Sequence, residues 1–382
     1  VQKNRLLLLT VAHFLVDTYG GILAPIMPLV ILKLGLNYAA AGVLGTVTAL
    51  ISLGQPLLGL WADRMRRRYL VIGGVLLASV FTPLLGIAGS YGAMMAVLAL
   101  GGLGVSAFHP QAFSLAGELS AGRRSFGLAL FIFGGTLALG TTPLLITGLA
   151  SRWGLEVLPM VMLPGLVVAV VCSRVLPMER DHLPQQDLAA ALGALRRRWA
   201  PLTVITAVVM LRCVTHIGFA TFLTVLGQEH GLSPAQSAIP LTVYQTCGVM
   251  GSLLAGYLAD RVDPKPLCWG SILLACPALS AYLLVDGWAA LALLAVGGAM
   301  IGASNSVMVA MAQEMAPDHA SLASSLPLGF SWGAAGLMLP LIGHAADIVG
   351  LETTLRYLAL LPILTAALAL LLPRRERFRV AA

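Results

Sequence analysis

Long apolar runs constrain this chain more than any other feature of it. Twelve stretches, at 6–32, 39–62, 70–88, 92–117, 126–150, 157–176, 201–227, 236–259, 266–285, 288–315, 322–346 and 354–372, approach or exceed the length of a membrane helix, which is about 20 residues. Most are separated by short turns carrying Gly, Pro, Ser or charge, such as "AGSYG" at 88–92 and "HGLSPAQ" at 230–236, the punctuation expected between helices. Hydrophobic residues make up 58% of the chain and charged ones 10%, against about 25% charged in soluble domains. So little polar surface cannot shield this much apolar side chain from water, so the solvent is lipid. In lipid only helices and closed barrels satisfy their own backbone hydrogen bonds. Barrel strands alternate in polarity over about ten residues, and these runs do not. The expected fold is all-α, with twelve transmembrane spans.

Lysine and arginine orient those spans. With the N-terminus in the cytoplasm, nineteen of the 23 basic residues fall on the cytoplasmic side. Only Lys33, Arg152 and Arg356 fall outside, and Arg212 lies within a span. The asymmetry follows the positive-inside rule and places both termini in the cytoplasm of a cell whose inner (plasma) membrane holds the protein. The net charge of +7 is therefore a topology signal, and runs such as "RMRRR" are no footprint for nucleic acid. The first span contains Asp17, is long, and is followed by no small-residue cleavage site, so it reads as retained rather than as a signal peptide. The cysteines (172, 213, 247, 268 and 276) have no metal-site spacing and read as small buried hydrophobes. Neither a metal nor a cofactor is expected.

An internal repeat divides the chain. "GLWADRMRRRYLVIGGVLLA" (59–78) returns as "GYLADRVDPKPLCWGSILLA" (256–275), and "AGEL" (116–119) as "AQEM" (312–315). Six spans followed by six similar ones in the same orientation form a parallel repeat, with a substrate site expected near the membrane midplane. The expected division is 1–176 as one six-helix bundle, 177–200 as a cytoplasmic linker, and 201–382 as the second bundle with a short basic tail. Within the linker, Leu188, Leu192 and Leu195 fall at helical spacing, which fits an amphipathic helix on the membrane surface or a plain solvated linker with a helical turn.

Polar residues inside the spans are sorted by position. The first span of each triplet (1, 4, 7, 10) carries His13 and Asp17, then His109, then Arg212 and His216, then Asn305. The second (2, 5, 8, 11) adds Gln55, Tyr244 with Gln245, and His344, whereas the third (3, 6, 9, 12) holds nothing stronger than Ser, Thr or Cys deep in its core. Ionisable groups in membranes face a bundle interior or a water-filled cavity, so spans 1, 4, 7 and 10 are expected to line one and spans 3, 6, 9 and 12 to face lipid. His13 and His109 lie at similar depth by helical rise, and Asp17 lies one turn above His13. Asp17 with His13 reads as a proton site or as a static hydrogen bond pinning the first helix. His109, Arg212, His216, Gln55, Tyr244, Gln245 and Asn305 are the candidate substrate contacts, with His109 reading also as a proton site or as a structural hydrogen bond beside a kink. Arg212 cannot lose its proton in practice, so it needs Asp17 or an anionic substrate as counter-charge. Pro110 frees a carbonyl near residue 106, which raises local opening of that helix. His344 and Asp347 read as interfacial.

The loop Gly59-Leu60-Trp61-Ala62-Asp63-Arg64 resembles the cytoplasmic signature of the major facilitator superfamily and recurs at Gly256 to Arg261. It departs from that pattern at its second glycine, where Met65-Arg66-Arg67-Arg68 follows instead. The resemblance implies that Asp63 latches the cytoplasmic side against the start of span 11. Asp63 and Glu118, with Arg64, Arg67 or Arg123 as partners, and Asp260, Arg261 and Glu314 in the repeat, are the gate candidates. Closer still, "AHFLVD", "GQPLLGLWADR", "GLGVSAFHPQAFSLAGELSAGRRSFGLALFIFGGTLALG" and "AQEMAPDHASLASSLPLGFSWGAAGLMLPLIGHAAD" resemble the fosmidomycin-resistance type of efflux transporter. That resemblance implies a proton-driven antiporter exporting small, often anionic compounds, with His13, Asp17, His109 and Pro110 inside its motifs. Arg212 and His216 match no such motif.

The expected function is a proton-coupled antiporter exporting a small molecule by alternating access, its partners being that molecule, protons and the bilayer, and its state a monomer. An uptake symporter for an organic anion would use similar residues with the opposite coupling sign. A membrane enzyme or a channel fits poorly: the sequence shows no nucleophile constellation and no continuous polar path.

Overall fold

The computed structural model describes residues 2–55, 57–58, 61, 65, 68–120, 124–177, 179, 193, 196–259, 261–315, 323 and 325–374. Its α-helices are α1 (Lys3–Gly20), α2 (Leu23–Leu34), α3 (Tyr38–Leu53), α4 (Tyr69–Phe81), α5 (Tyr91–Leu119), α6 (Arg124–Trp153) and α7 (Met162–Val175), then α8 (Trp199–Glu229), α9 (Pro234–Ala259), α10 (Pro264–Tyr282), α11 (Gly287–Met315), α12 (Ser331–Gly336), α13 (Leu339–Val349) and α14 (Leu351–Ala369). Every expected span coincides with helix. Among the described residues ten segments are long and apolar enough to cross a membrane, and α3 is apolar but shorter. The remaining expected span is α10.

Proline and glycine account for the irregular turns. The first span breaks between α1 and α2, where Pro25 has no N–H to return to the Gly21 carbonyl and the Gly21 N–H closes α1 on Asp17 O and Thr18 O. A 3₁₀ turn over Thr82–Gly86 follows α4, another over Leu155–Val161 precedes α7, and a π turn over Leu326–Phe330 leads into α12. Pro110 does not have the expected effect. It lies inside α5, which stays helical from Tyr91 to Leu119, so the helix is not opened near residue 106. The linker helix expected around Leu188–Leu195 lies outside the described residues.

The chain forms two compact units. One comprises Val1–Leu36, Leu50–Gln185 and Gly227–Thr242, the other Asn37–Ala49, Gln186–Leu226 and Val243–Ala382. In the first unit, Leu9, Ala12 and Val16 of α1 pack with Val75 of α4, Phe108 of α5 and Phe131 of α6. Gly74 lies so close to Phe108 and the Gly104 carbonyl that a Cβ there would overlap them. This glycine contact packs α4 closely against α5. The most apolar stretch of Tyr69–Gly86 is 56% buried, as much as that of the first span, whereas that of Leu155–Val175 is 28% buried. Of these two third-of-triplet spans the latter is the more open, and the former keeps Leu76 exposed.

In the second unit small residues again set the approach distances, as in other lipid-embedded bundles. Gly298 and Gly302 of α11 lie against the Tyr244 and Gly248 carbonyls of α9. α3 docks on α13 in the same way, through Gly42 beside Leu339 and Gly343 beside the Tyr38 carbonyl, and the Thr46 hydroxyl donates to Gly336 O at 2.8 Å. At the start of α3 the Asp347 carboxylate accepts from the Tyr38 N–H (2.8 Å) and the Ala39 N–H (3.0 Å), and Asn37 Oδ1 accepts from the Ala40 N–H (2.9 Å). Three first-turn N–H groups that no helical carbonyl can reach are thus satisfied. Asp347 is no idle interfacial acid: it caps a neighbouring helix.

Candidate functional site

α1 and α5 bring three ionisable side chains of the first unit together. His13 and Asp17 are four residues apart on one face of α1, and His13 Nε2 is 3.2 Å from Asp17 Oδ2. From α5, His109 Nε2 approaches the other oxygen, Asp17 Oδ1, also at 3.2 Å. The remaining nitrogen of each ring is held by a main-chain carbonyl. His13 Nδ1 is 2.8 Å from Phe131 O, and His109 Nδ1 is 2.7 Å from Val105 O, one turn back in its own helix. Because a carbonyl only accepts, both Nδ1 atoms are donors and both Nε2 atoms face the carboxylate.

The surroundings leave this group little freedom. His13 is 4% exposed and stacks on Phe131 with ring centres 4.1 Å apart, and the His109 ring meets it edge-on at 5.1 Å. Gly135 of α6 provides the space, since a Cβ there would overlap Asp17 Oδ2 and His13 Nε2. These are the only three groups of metal-ligating type that converge among the described residues, their atoms within 4.8 Å of one another.

A second cluster occupies the other unit. Arg212 on α8 is 1% exposed and forms no ion pair among the described residues. Its guanidinium donates to Asn305 Oδ1 (3.0 Å) and Ile301 O (3.4 Å) on α11 and approaches Cys213 Sγ at 3.1 Å. Its Nε has no hydrogen-bond partner, and neither do His216 Nδ1 and the Tyr244 hydroxyl. Aromatic rings wall the cation in: Trp332 lies 5.7 Å from its centre, and His216 sits between Trp332 and Tyr244 at 5.3 Å from each. Trp332 arrives here directly after the π turn, a distortion often found at functional sites.

The sequence placed His109 among the substrate contacts and left Arg212 a choice of counter-charge. The structure groups His109 with His13 and Asp17 instead, and groups Arg212, His216, Tyr244 and Asn305 with one another. Gln55 and Gln245 are half-buried and join neither cluster by a hydrogen bond. Trp332 is the residue that sequence reasoning missed. Its only signal was a large ring inside the small-residue run "GFSWGAAG". A cavity of about 490 Å³ lies along the first turns of α8, walled by Trp199, Thr203, Thr206, Met210 and Phe330, and none of the expected site residues lines it.

Known proteins extend this picture. A sequence profile of the Major Facilitator Superfamily matches residues 9–223 and again 205–381. The chain belongs to the major facilitator superfamily. Its fold is that family's: a bacterial homologue of the human lysosomal transporter Spinster, solved in an inward-facing, unoccupied conformation, superposes with a TM-score of 0.85 at 17% identity, covering 99% of this chain and 98% of that one. Among relatives, the fosmidomycin resistance protein of Escherichia coli (strain K12) is 26% identical over 370 residues, which is 93% of this chain and 89% of that protein. The benzoate transport protein of Acinetobacter baylyi (strain ATCC 33305 / BD413 / ADP1) is 24% identical over 88% of this chain and 81% of its own length. This chain is thus a multi-pass major facilitator transporter.

Several residues of the family's cytoplasmic signature, Asp63, Arg64 and Arg67, and the gate candidates Arg123 and Asp260, lie outside the described residues. Glu118 is ion-paired with Arg68, a residue not among the partners expected for it. Arg68, immediately before α4, is 1% exposed and also donates to Pro177 O (2.7 Å) and Glu179 O (3.0 Å), so it ties the end of α5 to the chain after α7. Arg261 lies over the Tyr257 ring at 3.8 Å, and Glu314 is exposed near the end of α11.

Proposed function

We propose that this transporter exchanges protons for a small organic anion by alternating access, exporting the anion as a monomer in the inner (plasma) membrane with both termini cytoplasmic. Arg212 carries the reading. A cation inside a membrane helix costs about 2.5–3.5 kcal/mol even on insertion scales, and no carboxylate among the described residues offsets it. Asp17, the acid that could have done so, has each of its oxygens against an imidazole. The charge of Arg212 is left for a cargo, with Tyr244, His216 and Asn305 as its polar neighbours, Trp332 as an apolar wall, and Gln55 and Gln245 as further contacts. The relatives' names point the same way, since fosmidomycin is a phosphonate and benzoate a carboxylate, both anions at neutral pH.

In this reading Asp17 and His13 take up the proton that drives the exchange. A bound anion shifts the conformational equilibrium only through its different affinities for the two states, and proton uptake by the Asp17–His13 pair supplies the opposing bias. Asp63, Arg64, Arg67, Arg123, Asp260, Arg261 and Glu314, with the Arg68–Glu118 pair, form the cytoplasmic gate. An uptake symporter would use the same residues, and the benzoate transport protein among the relatives gives that second reading its footing.

Proteoliposomes loaded with fosmidomycin test both. Antiport predicts that an inward proton gradient accelerates loss of the compound, and symport predicts that it slows loss. Flux indifferent to the gradient for fosmidomycin, benzoate and gentisate alike would end the proton-coupled reading.

A further inference from the structure

We propose that His13, Asp17 and His109 form a two-proton store, and that the arrangement seen here is its loaded state. The argument is a count of hydrogens. Both Nδ1 atoms donate to carbonyls, Phe131 O and Val105 O, so in a neutral ring each Nε2 carries only a lone pair. An ionised carboxylate is acceptor-only. Each Nε2-to-oxygen contact at 3.2 Å would then set lone pair against lone pair, where His13 is buried and the Asp17 and His109 side chains are 18% and 21% exposed, so that unmade hydrogen bonds are costly. One added proton satisfies one contact and leaves the other opposed. Two satisfy both, as imidazolium, carboxylate and imidazolium, with net charge +1. Release of both leaves one carboxylate and two neutral rings, with net charge −1.

Among the described residues, the ionisable side chains in contact with Asp17 are His13 and His109. The facing elements contribute the Phe108 and Phe113 rings from α5 and the Phe131 ring and Gly135 from α6, and none of these ionises. On α1 itself, Tyr19 turns its hydroxyl to Val161 O at 2.8 Å. The two contacts also differ in what they hold. His13 with Asp17 lies within α1, whereas His109 with Asp17 joins α5 to α1. Loss of the second proton therefore undoes a clasp between helices, and His109 becomes a proton carrier rather than a cargo contact.

The role in transport rests on the proton-coupled reading above, but the protonation does not. The test is ¹⁵N spectroscopy of histidine-labelled protein in lipid nanodiscs across pH, with His13 and His109 assigned by single replacement with Gln, one spectrum taken before metal chelator is added and all others in its presence. Both rings are expected to keep Nδ1–H at every pH and to lose Nε2–H as pH rises. Asp17→Asn removes the carboxylate that stabilises the imidazolium forms, so both transitions should move to lower pH. A single titrating ring, or transitions unmoved by Asp17→Asn, would overturn the store. So would Nε2 signals that change when the chelator is first added, because a bound cation would then stand where the protons are placed.

A second measurement reads the stoichiometry. With membrane potential clamped at zero and a tenfold proton gradient, two-for-one exchange carries fosmidomycin to a limiting ratio of about 100-fold, and one-for-one exchange to about tenfold. A tenfold limit with gradient-driven flux would refute the store while leaving the transporter reading intact. Two titrating rings with no gradient-driven flux would do the reverse.

Discussion

Asp17 and Arg212 are the two charged residues whose place inside a membrane span demands an explanation, and each has a different answer. Asp17 is satisfied locally, by imidazoles from its own helix and from α5. Replacing it with Asn removes a charge without changing shape, so Asp17→Asn is expected to fold and melt like the parent while losing gradient-driven flux. Normal flux in that variant would take Asp17 out of the coupling step. Arg212 is satisfied only by neutral partners, so deleting its charge leaves no acid stranded. Arg212→Ala is expected to keep stability within about 1 kcal/mol of the parent while weakening fosmidomycin binding at least tenfold, about 1.4 kcal/mol. Unchanged affinity with a large loss of stability would make the guanidinium a structural post instead. His109 shows what the sequence left open. Depth along the helix put it level with His13, but depth says nothing of which neighbour a ring turns toward.

Helices in this protein are positioned by what their glycines allow and what their ends require. Gly135 lets α6 approach the His13–Asp17 face of α1, and a methyl there would collide with both side chains. Overpacking of this kind costs about 1–3 kcal/mol, so Gly135→Ala should lower the melting temperature in detergent and displace the His13 and His109 ¹⁵N signals together. A melt and spectrum like the parent's would mean that α6 yields at no cost. At the start of α3 the Asp347 cap replaces the missing helical carbonyls, and losing a helix cap costs about 0.5–2 kcal/mol. Asp347→Ala is expected to reduce stability by that amount, and Asp347→Asn, which keeps one acceptor oxygen, by less. Equal effects of the two substitutions would point to charge rather than capping. This cap was not legible in the sequence, because its donor and acceptor are some three hundred residues apart and nothing local distinguishes Asp347 from an ordinary acid at a helix end.

At the scale of the molecule, secondary transport is reversible, so reversing the proton gradient across the same proteoliposomes should reverse the net movement of fosmidomycin. Movement that stays one-way under both gradients would indicate a driving force other than protons. The fold behind that behaviour was largely written in one dimension. Lipid as solvent forces backbone hydrogen bonds to close within helices, so span number and helical class follow from apolar run length alone, and the repeated Gly-x-x-x-Asp-Arg loop carried the family resemblance. The same one-dimensional reading singled out the polar residues that the structure gathers into two clusters, Trp332 aside, because a charge in an apolar run stands out wherever it falls. Partnership was another matter. That His109 joins Asp17, that Arg212 meets no acid among the described residues, that Trp332 flanks it after a π turn, and that Arg68 holds Glu118 were all decided by helix rotation and close packing. Sequence determines which groups lipid would reject. Only the packed helices determine which of them meet, because a few degrees of rotation about a helix axis changes a side chain's neighbours without changing its hydropathy.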